Sequence, residues 1–128
     1  ATLVPQTPPD ISEAVRTRTK LITGNGMVGM GMFMINGLMD DLGVINDTMQ
    51  LGSVEIWDIV NNSNMAHPMH IHGGPLRIVE NDGNPVEPGG QWVKETGKIA
   101  AGGRHDVLVG PPDGAPLAGS CPTKRAFM

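Results

Sequence analysis

Hydrophobic and polar positions alternate along this chain in short runs that turn residues interrupt. Val15 to Ile22 alternates weakly and predicts an edge strand. Phe33 to Asn36 predicts a second, brief strand ended by Asn36-Gly37, a dipeptide suited to positive backbone dihedrals. Gly52 to Asn61 sets Val54, Ile56 and Asp58 against Glu55, Trp57 and Ile59, so both faces carry apolar groups and the strand is expected at the centre of its sheet. Asn61 to Asn64 reads as a loop, His70 to Glu80 as another strand, and Asn81-Asp82-Gly83-Asn84-Pro85 as a turn. Trp92 to Ile99 and Arg104 to Val109 complete the set, separated by Gly102-Gly103. Five or six short strands with such turns predict an all-β sandwich or small barrel, with no internal repeat.

Composition agrees with that pattern. The 128 residues include 18 glycines and 11 prolines but only two tryptophans, two phenylalanines and no tyrosine, which favours strands and turns over long helices. This length suits one domain. Residues 1–14, with prolines concentrated before Asp10, read as a linker or extended arm, 15–112 as the domain, and 113–128 as an irregular tail. Between Gly24 and Met34 lie four glycines and four methionines, a density of glycine that argues against a helix.

The net charge of −4 and the lack of a Lys/Arg cluster leave no electrostatic footprint for nucleic acid or an anionic membrane. No run approaches the roughly 20 apolar residues of a spanning helix. A small molecule or metal is the expected partner. The single cysteine, Cys121, excludes an intrachain disulfide and leaves the compartment open on that evidence. The first residues lack the basic and apolar regions of a signal peptide.

The segment Met65-Ala66-His67-Pro68-Met69-His70-Ile71-His72-Gly73 holds three of the chain's four histidines. Neutral imidazole is the commonest transition-metal ligand and suits copper and zinc alike. Side chains alternate faces along a strand, so His70 and His72 share a face about 7 Å apart while His67 falls on the other. Two metal sites on opposite sides of one strand fit this spacing better than one site using all three. Pro68 limits the backbone where the strand begins, and Gly73 allows close approach of another group. Met65 and Met69 flank the histidines; Met69 is expected to serve packing. Met27, Met30, Met32 and Met34 are likewise read as core or loop packing ahead of metal handling. His105 is read as a surface or partly buried strand residue.

His67-Pro68-Met69-His70-Ile71-His72-Gly73 resembles the His-Pro-x-His-x-His-Gly motif of the last cupredoxin domain of multicopper oxidases, the laccase and cuprous oxidase family. Ile35-Asn36-Gly37, the run Gly52 to Trp57 with Asn61 after it, Leu76 to Val79, and Gly102-Gly103-Arg104 leading into Val107-Leu108-Val109 extend the likeness to about two thirds of the chain. The resemblance implies a cupredoxin-like Greek-key β-sandwich with antiparallel strands. It further implies that His67 is a type 1 copper ligand, His70 a type 2 ligand and His72 a type 3 ligand. In this family the type 1 copper takes electrons from substrate and passes them to a trinuclear cluster that reduces oxygen to water. A periplasmic or secreted location is implied in the same way.

The sequence departs from the family at the last strand, where His-Cys-His is expected. After Val109 it runs through prolines and glycines to Ser120-Cys121-Pro122, and Pro122 is poorly suited to a central strand. Cys121 is therefore read as a terminal thiol rather than the type 1 ligand. A second His-x-His pair is also missing. Truncation, a shifted reading frame, a split gene product and a degenerate domain each account for this. The function expected is a copper-binding domain of a multicopper oxidase, oxidising phenolic or metal-ion substrates in the complete enzyme and needing an additional cupredoxin domain or chain. A non-catalytic copper binder or carrier is the alternative, and a cupredoxin domain that has lost its metal is a third.

Overall fold

A computed structural model describes residues 10–24, 32–39, 41, 43–50, 52–71, 76–91, 93–94, 96–110 and 126–127. Asp10 caps a short 3-10 turn over Ile11–Glu13 through a reciprocal bond with Glu13. Ten strands follow: β1 (Ala14–Gly24), β2 (Phe33–Ile35), β3 (Val54–Ser63), β4 (His67–Ile71), β5 (Leu76–Asn81), β6 (Asn84–Pro85), β7 (Val93–Lys94), β8 (Thr96–Ile99), β9 (Arg104–Val109) and β10 (Ala126–Phe127). The larger sheet runs β2-β1-β3-β9-β5-β6, with β7 also on β5, and the smaller runs β10-β4-β8.

The two sheets close on one core. Ile22, Trp57, Ile59, Leu76, Val107 and Val109 come from the larger sheet and Met69, Ile71 and Ile99 from the smaller. β3 lies between β1 and β9, and its Glu55, Trp57, Ile59 and Asn61 are buried, as its two apolar faces predict. Trp57 faces the core; Ile56 points the other way, to a smaller cluster of Val54, Val79 and Leu108.

β1 is an edge over most of Val15 to Ile22, as expected, and β2 covers its outer side only at Ile22 to Gly24. Several expectations need revision. β1 pairs with β3 in parallel, from Ala14↔Val54 to Gly24↔Ser63, against the antiparallel rule of the other pairings. The segment Asn61 to Ser63 belongs to β3 instead of a loop, since that ladder continues to its end. His70 to Glu80 is not one strand. β4 and β5 lie in different sheets, and Gly73, Gly74 and Pro75 between them supply residues unsuited to an unbroken ladder. Trp92 to Ile99 divides likewise, β7 joining β5 and β8 joining β4.

The predicted turns hold. Asn36 (φ 52°) and Gly37 (φ 75°) form a two-residue turn closed by the Ile35↔Leu38 bridge, and Asp82 (φ 49°) and Gly83 (φ 82°) join β5 to β6.

Charges gather at two places, one buried and one half-buried. Lys20, 1% exposed, pairs with Asp47 and stands 4.5 Å above the Trp57 ring, while Arg18 joins Glu55 to Asp47. On the sheet face turned away from the core, Asp58, Asp106 and Glu80 lie side by side across β3, β9 and β5. Arg104 bridges Asp58 with two bonds, of 2.7 and 3.1 Å. Burial, the shared hydrogen bond and charge of Asp58, and the charge of Glu80 push the Asp106 carboxyl up to about 6, against the pull of Arg104.

Candidate metal centre

β4 is the middle strand of the smaller sheet, paired with β8 from His67↔Ile99 to His70↔Thr96 and with β10 through His70 and Ile71. Its side chains alternate as the sequence spacing requires: His67, Met69 and Ile71 are buried, whereas Pro68 is exposed and His70 half-buried. His67 and His70 thus point to opposite sides of one strand. Met69 is wholly buried in the core, consistent with packing, while Met65 is exposed.

His67 is held on two sides. Its Nε2 lies 3.0 Å from the Ser63 hydroxyl. The Phe33 ring meets it edge to face, with centroids 4.3 Å apart and planes at 71°. His70 lies on the outer side, its Nδ1 3.3 Å from the Thr96 hydroxyl. His72 and Cys121 lie outside the described residues, as do Ser120, Pro122, Met27 and Met30. Met32 is exposed and Met34 half-buried. His105 is half-buried on β9, opposite Ile59 and Asn81.

Sequence reasoning missed the residues that fasten this site. Asn61 is fully buried, and its amide donates to the carbonyls of Met65, Ile99 and Ala100 at 2.8, 3.1 and 3.0 Å. Its backbone bonds Gly102 and Gly103. One asparagine therefore ties the β3–β4 connection to the β8–β9 turn. Ser63 and Thr96 supply the hydroxyls beside the two histidines. A polar Asn-x-Ser immediately before a histidine strand was the available signal.

A two-sheet sandwich carrying a histidine strand at the centre of its smaller sheet is a cupredoxin-type domain. A family model described as multicopper oxidase matches residues 7–115, and the chain belongs to that family. A laccase of Haloferax volcanii is 36% identical over 63 residues, which make up 47% of this chain and 11% of that protein. A laccase of Bacillus stratosphericus is 33% identical over 73 residues, 57% of this chain and 12% of that protein. Among solved structures, the McoA multicopper oxidase of Aquifex aeolicus superposes with a TM-score of 0.64 at 28% identity, over 86% of this chain and 25% of that one. A Campylobacter jejuni multicopper oxidase shares the fold at 22% identity, with a TM-score of 0.64 over 88% of this chain and 26% of that one. The chain thus spans about a quarter of the length of these solved oxidases.

The family implies copper, and the described donors suit it. Each of the two imidazoles has one ring nitrogen against a hydroxyl, the kind of outer partner that orients a metal-binding ring. Among the described residues no group of three or more His, Cys, Asp or Glu side chains converges. His67 and His70 stand on opposite sides of β4 and do not converge on one point.

Proposed function

We propose that this chain is the copper-binding C-terminal cupredoxin domain of a multicopper oxidase, with residues 15–112 as its body. In this reading His67 ligates one centre, and His70 with His72 ligates a second. The observation that carries it is the placement of His67 and His70 on opposite sides of β4. Bound copper would supply one-electron redox chemistry, coupling oxidation of a phenolic or metal-ion substrate to oxygen reduction in the complete enzyme.

This chain's residues bind and orient. His67, 7% exposed and packed against Phe33, offers a ligand in a setting from which water is largely excluded. His70 stands at the outer face beside Thr96, where a second domain can approach. The backbone from His67 to His70 is the shortest covalent link between the two sides. The remaining ligands come from a further cupredoxin domain or chain, a reading supported by how much longer the related oxidases are. A periplasmic or secreted location is part of this reading. Among the described residues no helix is long and apolar enough to cross a membrane.

A non-catalytic copper binder or carrier is the second reading, favoured by the absence of His-Cys-His between Val109 and Met128. Metal analysis by mass spectrometry on the purified chain, followed by copper(II) titration, tests binding. Bound copper whose affinity drops on replacing His67 or His70 is expected; affinity that both substitutions leave unchanged would remove the proposed site. Oxygen uptake after adding a partner domain separates oxidase from carrier.

A further inference from the structure

Ser63 and Asn61 together determine which nitrogen of His67 carries its hydrogen. The Asn61 amide faces three carbonyl oxygens, so reversing it would set oxygen against oxygen three times. Its Oδ1 therefore faces Ser63 and accepts from the Ser63 amide at 3.2 Å and the Ser63 hydroxyl at 2.6 Å.

A serine hydroxyl has one hydrogen to give. Besides Asn61 Oδ1, Ser63 Oγ has the Met65 carbonyl at 3.0 Å, which can only accept, and the Met65 amide at 3.4 Å, which can only donate. With its hydrogen committed to a carbonyl, the hydroxyl can meet His67 Nε2 only as an acceptor. Nε2 must then be the protonated nitrogen, and in the neutral ring Nδ1 keeps the lone pair. Edge-on contact with Phe33 packs the ring plane in place.

We infer that Asn61 and Ser63 are positioning residues that lock His67 as its Nε2–H tautomer and present Nδ1 as its metal-binding atom. The metal half of this inference rests on the copper reading above, whereas the tautomer half stands without it. An Nδ1–H ring would put two lone pairs face to face or pull the Ser63 hydrogen away from buried Asn61.

The test is long-range proton–nitrogen correlation on the metal-free, nitrogen-15-labelled chain, at a pH where the imidazole is neutral. Wild-type His67 is expected as Nε2–H by about tenfold over the other form, the preference that one hydrogen bond supports. Ser63→Ala is expected to give mixed tautomers, and Ser63→Thr, which keeps the hydroxyl, to restore the single form. Finding His67 as Nδ1–H, or the same ratio in Ser63→Ala as in wild type, overturns the inference. If Ser63→Ala does not fold, the wild-type tautomer decides alone. Copper(II) affinity should fall about tenfold in Ser63→Ala. A fixed Nε2–H tautomer in a chain that takes up no copper sinks the copper reading and leaves the lock standing; copper uptake by a ring found as Nδ1–H does the reverse.

Discussion

His67 and His70 share one strand and face opposite ways: His67 lies with Met69 and Ile71 on the buried side, and His70 beside Thr96 on the outer side. Three residues of extended chain, about 10 Å, separate them. No single ion can use both rings while β4 keeps its ladder with β8. Losses from substituting either should therefore be independent.

The first prediction follows directly. His67→Ala and His70→Ala should each weaken copper(II) binding about tenfold or more at its own site and leave the other site unchanged, and the double variant should be weakened at both. His72→Ala should behave as His70→Ala does, and His105→Ala should change affinity little. Calorimetric titration of the variants checks this, and an equal effect of all four substitutions would contradict the assignment.

Copper loading of the chain alone should give no intense visible absorption, because a blue site needs a thiolate beside its imidazoles. Absorption spectra of copper-loaded wild type and Cys121→Ser decide the matter. A strong band that the substitution abolishes would make Cys121 a ligand.

Lys20 is the most deeply buried cation described, between Asp47 and the Trp57 ring. Lys20→Ala removes both contacts and leaves a cavity, and should cost about 3 kcal/mol of stability in urea unfolding. Lys20→Met keeps the apolar stem and should cost less, since Arg18 still contacts Asp47.

The Asp106 carboxyl, raised to about 6 by burial, Asp58 and Glu80, sets a pH dependence of its own. The folded chain holds that proton more tightly than the unfolded chain, so this group's stabilisation is full below about 4 and is lost as pH rises towards 6. Asp106→Asn removes the charge and should raise stability at pH 8 by about 1–2 kcal/mol, with little gain at pH 4. Thermal unfolding of both proteins at the two pH values tests the sign.

The sheet-forming segments, both tight turns and the opposite-facing histidines were legible because each depends on local periodicity or local dihedrals. Whether Trp57 or Ile56 faces the main core was not legible, because both faces of β3 carry apolar groups. Nor was the partner of each strand. β4 and β5, which read as one apolar run from His70 to Glu80, divide between sheets because of long-range pairing with β8 and β9. Asn61 looked like loop because its value lies in carbonyls up to 39 residues away. Lys20 escaped notice because nothing in β1 shows that Asp47 and Trp57 will enclose its ammonium.

The parallel β1–β3 ladder bears on how the chain reaches its fold. Partners along it stand about 40 positions apart, so it cannot begin as a hairpin and must close a long loop before its first bond forms. β5 and β6 meet across the two-residue turn Asp82-Gly83 and can form early. A ribosome releases β1 well before β3, and until β3 arrives Leu21 and Ile22 lie along an edge open to other chains. Docking of β1 is therefore the expected slow step of folding, and the interval before it is when association with a neighbouring chain competes most strongly.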